Sequence, residues 1–484
     1  MRPTYAIATW FHLRILGLCA MTAFASMYAQ APGLIGSRGL TPVAQTMANL
    51  AATHGGADWL RSPTVFWWST ADGFVQALFA IGAAAGALLM LGIVPRFAAA
   101  VAYLVVLSVR ATEGDGFRWF NSPYDNLLAE NLFVGIWLAP LEVWSSPLRP
   151  RAPSRWARWL LLWVLFRLIL GTGVTKLVLG GAWFDLDAVQ QFLVAQPFPM
   201  ASAAAMHDGP RWLLQGSCIF TLAYEVLAPW FFWWPGRPAR IAGYFGIGLN
   251  LGIHAVGSLR GFNWLTIGML LLLFDDAWWL RVSPLLRARL KVVELAAAGR
   301  LARAAACGVV AAVAAASFEP LALQAGFRHD ELPLPAVHAT LRPFHLSSNY
   351  YMFCRVPPDR YGLVIQGSDD GEQWRDYQPH GLPGAVDRWP ERVAPGNDHL
   401  GFQMWLCAFG APEVAAGWLP RLLEGLVTGE AAVRALFAHD PFPQEPPRHA
   451  RAARFVYTFA PADERASGIF WRRQFIDVYG AASR

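Results

Sequence analysis

The sequence predicts a polytopic α-helical membrane protein of about nine transmembrane helices, followed by a C-terminal extracytoplasmic domain of α+β or β-sandwich-like architecture. Three observations predict it. Hydrophobic residues make up 55% of the 484-residue chain and charged residues only 15%, against about 25% in ordinary soluble domains. Nine segments approach the ~20 apolar residues that a spanning helix needs. The basic residues cluster in alternate connections between those segments, as the positive-inside rule requires. This composition excludes a disordered chain, a disulfide-stapled mini-protein and a typical cytosolic enzyme.

In chain order the segments are roughly 10–30, 74–94, 97–112, 125–145, 156–178, 212–234, 241–258, 262–280 and 302–319. The first ends in small residues near Ala25, yet it is read as a retained span rather than a cleaved signal peptide. Connection 146–158 carries Arg149, Arg151, Arg155 and Arg158, and 235–240 carries Arg237 and Arg240. Segment 281–303 adds Arg281, Arg287, Arg289, Lys291, Arg300 and Arg303. With the N-terminus inside, nine spans put all three on the cytoplasmic side. Residues 1–319 then form the transmembrane helical domain, and 320–484 a soluble domain outside the cytoplasm. The 23 tryptophans fit interfacial belts.

In the C-terminal part, residues 361–366 read as a strand and Ser368-Asp369-Asp370-Gly371 as a hairpin turn. Residues 374–377 read as the returning strand. Residues 401–438 look helical with a break at Pro420, 454–459 alternate like a strand, and 461–479 read as a closing helix. Cys354 and Cys407 can pair in an oxidising compartment. Cys19, Cys218 and Cys307 lie in apolar segments as small hydrophobes.

The net charge is +6, and of the basic residues only Lys176 and Lys291 are lysine. That skew points to a GC-rich bacterial genome, and so to the inner membrane. No basic stripe with interleaved aromatics exists, so no nucleic-acid partner is expected; membrane lipids are. There is no Gly-rich phosphate loop, HExxH, GxSxG or CxxC, and no cofactor or metal is expected.

Ionisable residues at bilayer depth are costly and mark functional sites by default. Asp125, following Pro123, reads as an interfacial helix cap, with Glu130 about one turn deeper. Arg167 and Lys176 are nine residues apart, half a turn out of phase on a helix, so they face different neighbours. Arg167 can pair with Glu130 or Glu225. Two readings of Lys176 stand: a snorkelling anchor, or a partly desolvated base. His254 reads as a hydrogen-bonded core histidine or a proton relay. Gly257, Arg260 and Gly261 interrupt the next apolar run as a tight outer turn or a re-entrant dip.

These segments together resemble the lipase maturation factor family nearly end to end. The similarity runs through GLIGSRGL at 33–40, YDNLLAENLFVGIWLAP at 124–140, LFRLILGTGVTKL at 165–177, AQPFP at 195–199 and GFNWLTI at 261–267. It continues through VIQGSDDGEQWRDY at 364–377, FQMWLCAFG at 402–410, DPFPQEPPR at 440–448 and SGIFWRR at 467–473. Because the pattern continues directly from the first span, that span is retained. Two departures stand out: QQFLV precedes AQPFP where the family shows a His-Tyr-Glu-Thr-like run, and Gly401-Phe402 replaces an Asp-Trp. The run 171–186 also resembles the horizontally transferred transmembrane domain of vitamin K-dependent gamma-carboxylase, through Gly173, Lys176, Leu177 and Trp183. That likeness implies a catalytic lysine base.

The first resemblance implies a membrane-bound factor that assists the folding and assembly of secreted proteins such as lipases; whether it is also an enzyme is left open. The client would meet Trp374, Trp389, Trp405 or Trp418 and the basic pair Arg472 and Arg473; each Trp reads equally as domain core. Asp125, Glu130, Arg167 and Glu225 are its candidate binding residues in the membrane. Two alternatives stand beside it. One is an embedded enzyme using Lys176 as base, with Glu130, Arg167 or His254 in a shared cavity. The other is a transporter of lipids or small molecules.

Overall fold

The structure, a computed structural model, describes residues 3–111, 119, 122–293, 299–328, 335–350, 353–410 and 415–484. Most of the connection expected at 113–124, and residues 294–298 of the arginine-bearing segment, lie outside the described residues.

Among the described residues a helix occupies each of the nine apolar segments, some only in part: α1 (Ala6–Leu34), α2 (Asp72–Leu91), α3 (Pro95–Arg110), α4 (Pro123–Leu138), α5 (Arg155–Leu179), α6 (Arg211–Phe231), α7 (Arg237–Val256), α8 (Phe262–Leu270) and α9 (Arg300–Gln324). By length and composition α1, α2, α5 and residues 303–324 of α9 are long and apolar enough to cross a membrane. Local chemistry sets several ends. Gly92 closes α2 at φ 77°, a conformation glycine adopts without strain. Ser122 and Asp125 form a reciprocal capping box that starts α4, with Pro123 in its first turn. α4 stops at Leu138, short of the expected 145, before Ala139-Pro140. The eighth segment also divides. α8 runs on through a 3-10 turn at Leu271–Leu273, and Asp275 then caps a new helix, Asp276–Val282.

Packing follows small residues. A Cβ on Gly17 of α1 would lie 2.3 Å from Met90 N, and one on Gly86 of α2 2.3 Å from Met21 N. The two backbones therefore touch where side chains are missing, the usual device for helices that cannot rely on a hydrophobic drive.

One end of the bundle gathers the arginine-bearing connections. Lys291 N donates to Leu148 O at 2.9 Å, and Val293 N to Pro150 O at 3.0 Å. Arg240 lies 4.0 Å from Asp275. Asp276 receives the free backbone N–H groups of Ala6 and Ile7 at 3.0 and 2.9 Å, so the chain start sits there too. The other end gathers the 195–199 and 257–261 loops, bridged at Pro199 and Gly257.

The C-terminal part is α+β. A single four-stranded antiparallel sheet, in the order β2-β1-β3-β4, is built from β1 (Arg360–Ser368), β2 (Arg375–Asp376), β3 (His449–Phe459) and β4 (Trp471–Ser483). No second sheet faces it among the described residues, so the sandwich alternative is set aside. Helices α10 (His399–Ala408) and α11 (Leu419–Thr428) share one core with Leu363 and Ile365, while Val364, Phe455, Tyr457 and Trp471 pack with Trp389 on the other face.

Two expectations are corrected here. The closing helix at 461–479 is one short turn, Ala462–Ala466, followed by β4. Gly468 at φ 95° makes the reversal, and Trp471, Phe475 and Val478 pair with Phe459, Phe455 and Ala453 of β3. Pro420 does not break a helix; it stands in the first turn of α11, where a missing N–H does no harm. Cys354 and Cys407 are both free thiols.

α1 extends to Leu34 with its C-terminal half clasped by the C-terminal part. Thr22 Oγ1 donates to Pro395 O at 3.1 Å and Gln30 Nε2 to Asn397 O at 2.7 Å. Gly33 lies against Ala432 and Leu436.

Candidate functional site

The sequence-selected charges resolve into separate buried pairs rather than one cluster. Arg167 on α5 forms an ion pair with Glu130 on α4, both side chains 2% exposed. The second oxygen of Glu130 accepts Ser348 N at 2.7 Å, and Arg167 Nη1 donates to Ser348 O at 3.1 Å. The pair thus holds the 345–350 loop to the bundle.

Nine residues further along α5, Lys176 turns to α6. Its Nζ donates to both oxygens of Glu225, at 2.9 and 2.6 Å, and lies 4.9 Å from the centre of the Trp183 ring. Gly173 makes this approach possible, since a Cβ there would lie 2.8 Å from Glu225 Cβ. Lys176 is 3% exposed. The snorkelling reading is therefore corrected: the ammonium does not reach water but is held on a carboxylate. His254 is also corrected. It is half-buried on α7, against the Trp264 ring and 2.6 Å from Arg392 of the C-terminal part, not a core histidine.

Asp125 does cap its helix, and it does more. Arg260, at φ 55° in the turn before α8, reaches Ser122 Oγ at 2.9 Å and Asp125 at 3.4 Å. Its guanidinium lies 4.4 Å from the Phe402 ring, one of the residues departing from the family pattern. The interruption at 257–261 is a tight turn. Ser258 N donates to Phe198 O at 2.9 Å and Met200 N to Val256 O at 3.1 Å, binding it to the AQPFP loop. Gln196 packs directly on Gly257, where a Cβ would lie 1.8 Å from its amide oxygen.

Around this turn lies a cavity of about 360 Å³, lined by the α4 start, the AQPFP loop, the 259–262 turn, residues 353–357 and α10. Trp405 is in its wall and donates to Ala195 O at 2.7 Å. Lys176, Glu130 and His254 do not line it, so the shared cavity expected for an embedded enzyme is not formed there.

The other candidates sit in the C-terminal part, Arg472 and Arg473 in β4 and the tryptophans outside the strands. Trp374 is half-buried beneath Arg451, whose guanidinium is 3.9 Å from its ring centre. Trp389 and Trp418 belong to cores. Arg472 pairs with Glu464, and Arg473 with Asp376 at 2.5 Å.

Two residues that join the halves were missed. Arg360, first in β1 and 2% exposed, donates to the backbone carbonyls of Val194 and Pro197 at 3.0 Å and to that of Gln196. Burial pushes its pKa down to about 9. A charged donor satisfying three carbonyls is a strong clamp. Arg360→Ala is expected to cost about 1.5–3 kcal/mol, read as a lower thermal midpoint of the detergent-solubilised protein. His399, at the start of α10, is fully buried with Nδ1 2.9 Å from Trp119 O. Burial, then the Arg260 guanidinium, pushes its pKa from 6.5 down to about 4. Between those values the unfolded chain binds a proton that the folded chain does not, so stability falls as pH drops from 6.5 towards 4. His399→Gln is expected to flatten the thermal midpoint across that window. An arginine heading a strand and a histidine heading a helix were the available signals; their partners are backbone atoms far away in sequence.

Residues 7–281 match the family model described as Lipase maturation factor transmembrane domain, and residues 346–481 the Lipase maturation factor C-terminal domain. The chain is 27% identical to Lipase maturation factor 1 of Bos taurus, over 96% of this chain and 87% of that one. It is 26% identical to Lipase maturation factor 1 of Homo sapiens, over 96% and 86%. With Lipase maturation factor 2 of Homo sapiens the identity is 28%, over 95% and 80%. No solved structure matches it. The chain is a membrane protein and belongs to the lipase maturation factor family.

Proposed function

We propose that this protein matures exported lipases from within a membrane, by binding the folding client without changing it covalently. The observation that carries the reading is the end-to-end similarity to lipase maturation factors, which covers bundle and C-terminal part alike. In this reading all nine helices span, the N-terminus is cytoplasmic and residues 320–484 face the exported client. The gathering of the arginine-bearing connections with the chain start at one end supports that orientation. The arginine-rich composition supports a bacterial inner membrane.

The interlock of Arg360 with the 194–197 carbonyls, of Arg260 with Asp398 O and the Phe402 ring, and of Gln30 with Asn397 O supports a C-terminal part held as a rigid platform. Client contact would fall on its half-buried aromatics, Trp374 and Trp405. Trp405→Ala and Trp374→Ala are each expected to lower the yield of active lipase at unchanged level of this protein. Co-expression with an exported lipase, followed by activity per mass of lipase, measures it. Unchanged activity in both variants would move the client surface elsewhere.

A further inference from the structure

The cavity beside Arg260, which shares Trp405 with the proposed client surface, has a chemistry suited to a second ligand. Apart from Arg260 and Arg355, its walls are mostly apolar and aromatic, including Phe198, Phe353, Phe402 and Trp405, and no acidic side chain lines it. At about 360 Å³ it falls within the range of small-molecule sites. Arg260 is neutralised by Asp125, but its Nε is buried without an acceptor among the described residues. Arg355 is exposed at the cavity, beside the half-exposed Leu406.

Depth identifies the surroundings. The cavity floor is reached where α8 begins at Phe262 and where Tyr124 donates to Cys19 O at 3.0 Å. From Ala6 at the arginine-bearing end, thirteen residues of α1 lead to Cys19, a rise of about 20 Å. The 12 residues Phe262–Leu273 span about 18 Å. A hydrocarbon core is about 30 Å thick, so with the bundle in a bilayer the cavity lies in the outer half of that core. Irregular backbone at such depth is tolerated where it lines a cavity.

We propose that this cavity holds one acyl chain of an anionic membrane lipid, with the lipid phosphate on Arg355. The aromatic walls take the chain, and the exposed Arg355 guanidinium, with no acid lining the cavity among the described residues, selects a negative headgroup. The inference goes beyond the maturation of lipases and requires only that the bundle spans a membrane.

The test uses the full chain in phosphatidylcholine vesicles doped with a phosphatidylglycerol carrying a photoactivatable acyl chain. Cross-links are expected on peptides 353–357 and 402–409. Arg355→Ala is expected to lower them about fivefold, the weight of one basic residue at an anionic surface. Leu406→Trp, which fills the mouth from an exposed position, is expected to lower them too, with cross-links to the outer surface of α6 unchanged. Three results would overturn the proposal. One is absence of label from both peptides. Another is equal labelling by a phosphatidylcholine probe and no response to either substitution. The third is loss of the label to competing unfolded lipase but not to unlabelled phosphatidylglycerol, which would give the cavity to the client.

Discussion

Arg167→Ala is expected to remove most of the folded protein from the membrane. The substitution leaves the Glu130 carboxyl group 2% exposed and without its counter-charge, and breaking a buried pair from one side costs roughly 3–5 kcal/mol. That is a large share of the 5–15 kcal/mol that holds a typical domain together. The loss spreads beyond the pair, because Arg167 also binds Ser348 O while Glu130 binds Ser348 N. The double variant Glu130→Gln/Arg167→Met is expected to recover much of the deficit. It removes both charges, keeps an acceptor for Ser348 N and fills the guanidinium stem with an apolar chain. Thermal midpoints of wild type, both single variants and the double variant in detergent measure the coupling. A double variant as unstable as Arg167→Ala would mean that the guanidinium acts through contacts other than Glu130.

The second large effect concerns Lys176, where structure and mechanism part company. Lys176→Ala strands Glu225 as an uncompensated charge, again at roughly 3–5 kcal/mol. The double variant Lys176→Met/Glu225→Gln is expected to fold and to mature lipase near the wild-type level, because the pair's work is to fix α5 on α6. A lysine needed as a base gives the opposite result: a folded double variant with no activity. The geometry favours the structural role. Both carboxylate oxygens are within 2.9 Å of Nζ, and none of Lys176, Glu130 and His254 lines the cavity beside Arg260.

Much of this was legible in the sequence because the membrane signal is long and redundant. All nine apolar segments carry helices, since twenty apolar residues in a row leave the backbone few other ways to satisfy its polar groups. The half-turn offset between Arg167 and Lys176 was legible from helical geometry alone, and the two residues do face different helices. Which acid each meets was not, because that depends on how α4 and α6 sit around α5. The last strand was misread for a local reason. Its extra residues Ile476 and Tyr479, bulged opposite Arg454/Phe455 and Ala452/Ala453 of β3, break the strict alternation that marks a strand. Arg260 and Arg360 escaped for a different reason: the acid Arg260 meets, Asp125, reads as a helix cap 135 residues away, and Arg360 binds three backbone carbonyls with no complementary acid to be read. The tryptophans divide along the same line. Trp418 is wholly buried, and sequence alone cannot separate it from Trp405 at a cavity wall.

The most direct test of a non-covalent maturation factor is the mass and activity of its client. An exported lipase is co-expressed with this protein, with the Lys176→Met/Glu225→Gln variant and with neither. The lipase is then purified, weighed by intact-protein mass spectrometry and assayed per milligram. The account expects higher specific activity with the wild type and with the double variant, at one unchanged mass. A lipase of altered mass made only with the wild type, or a specific activity indifferent to the protein's presence, would contradict it.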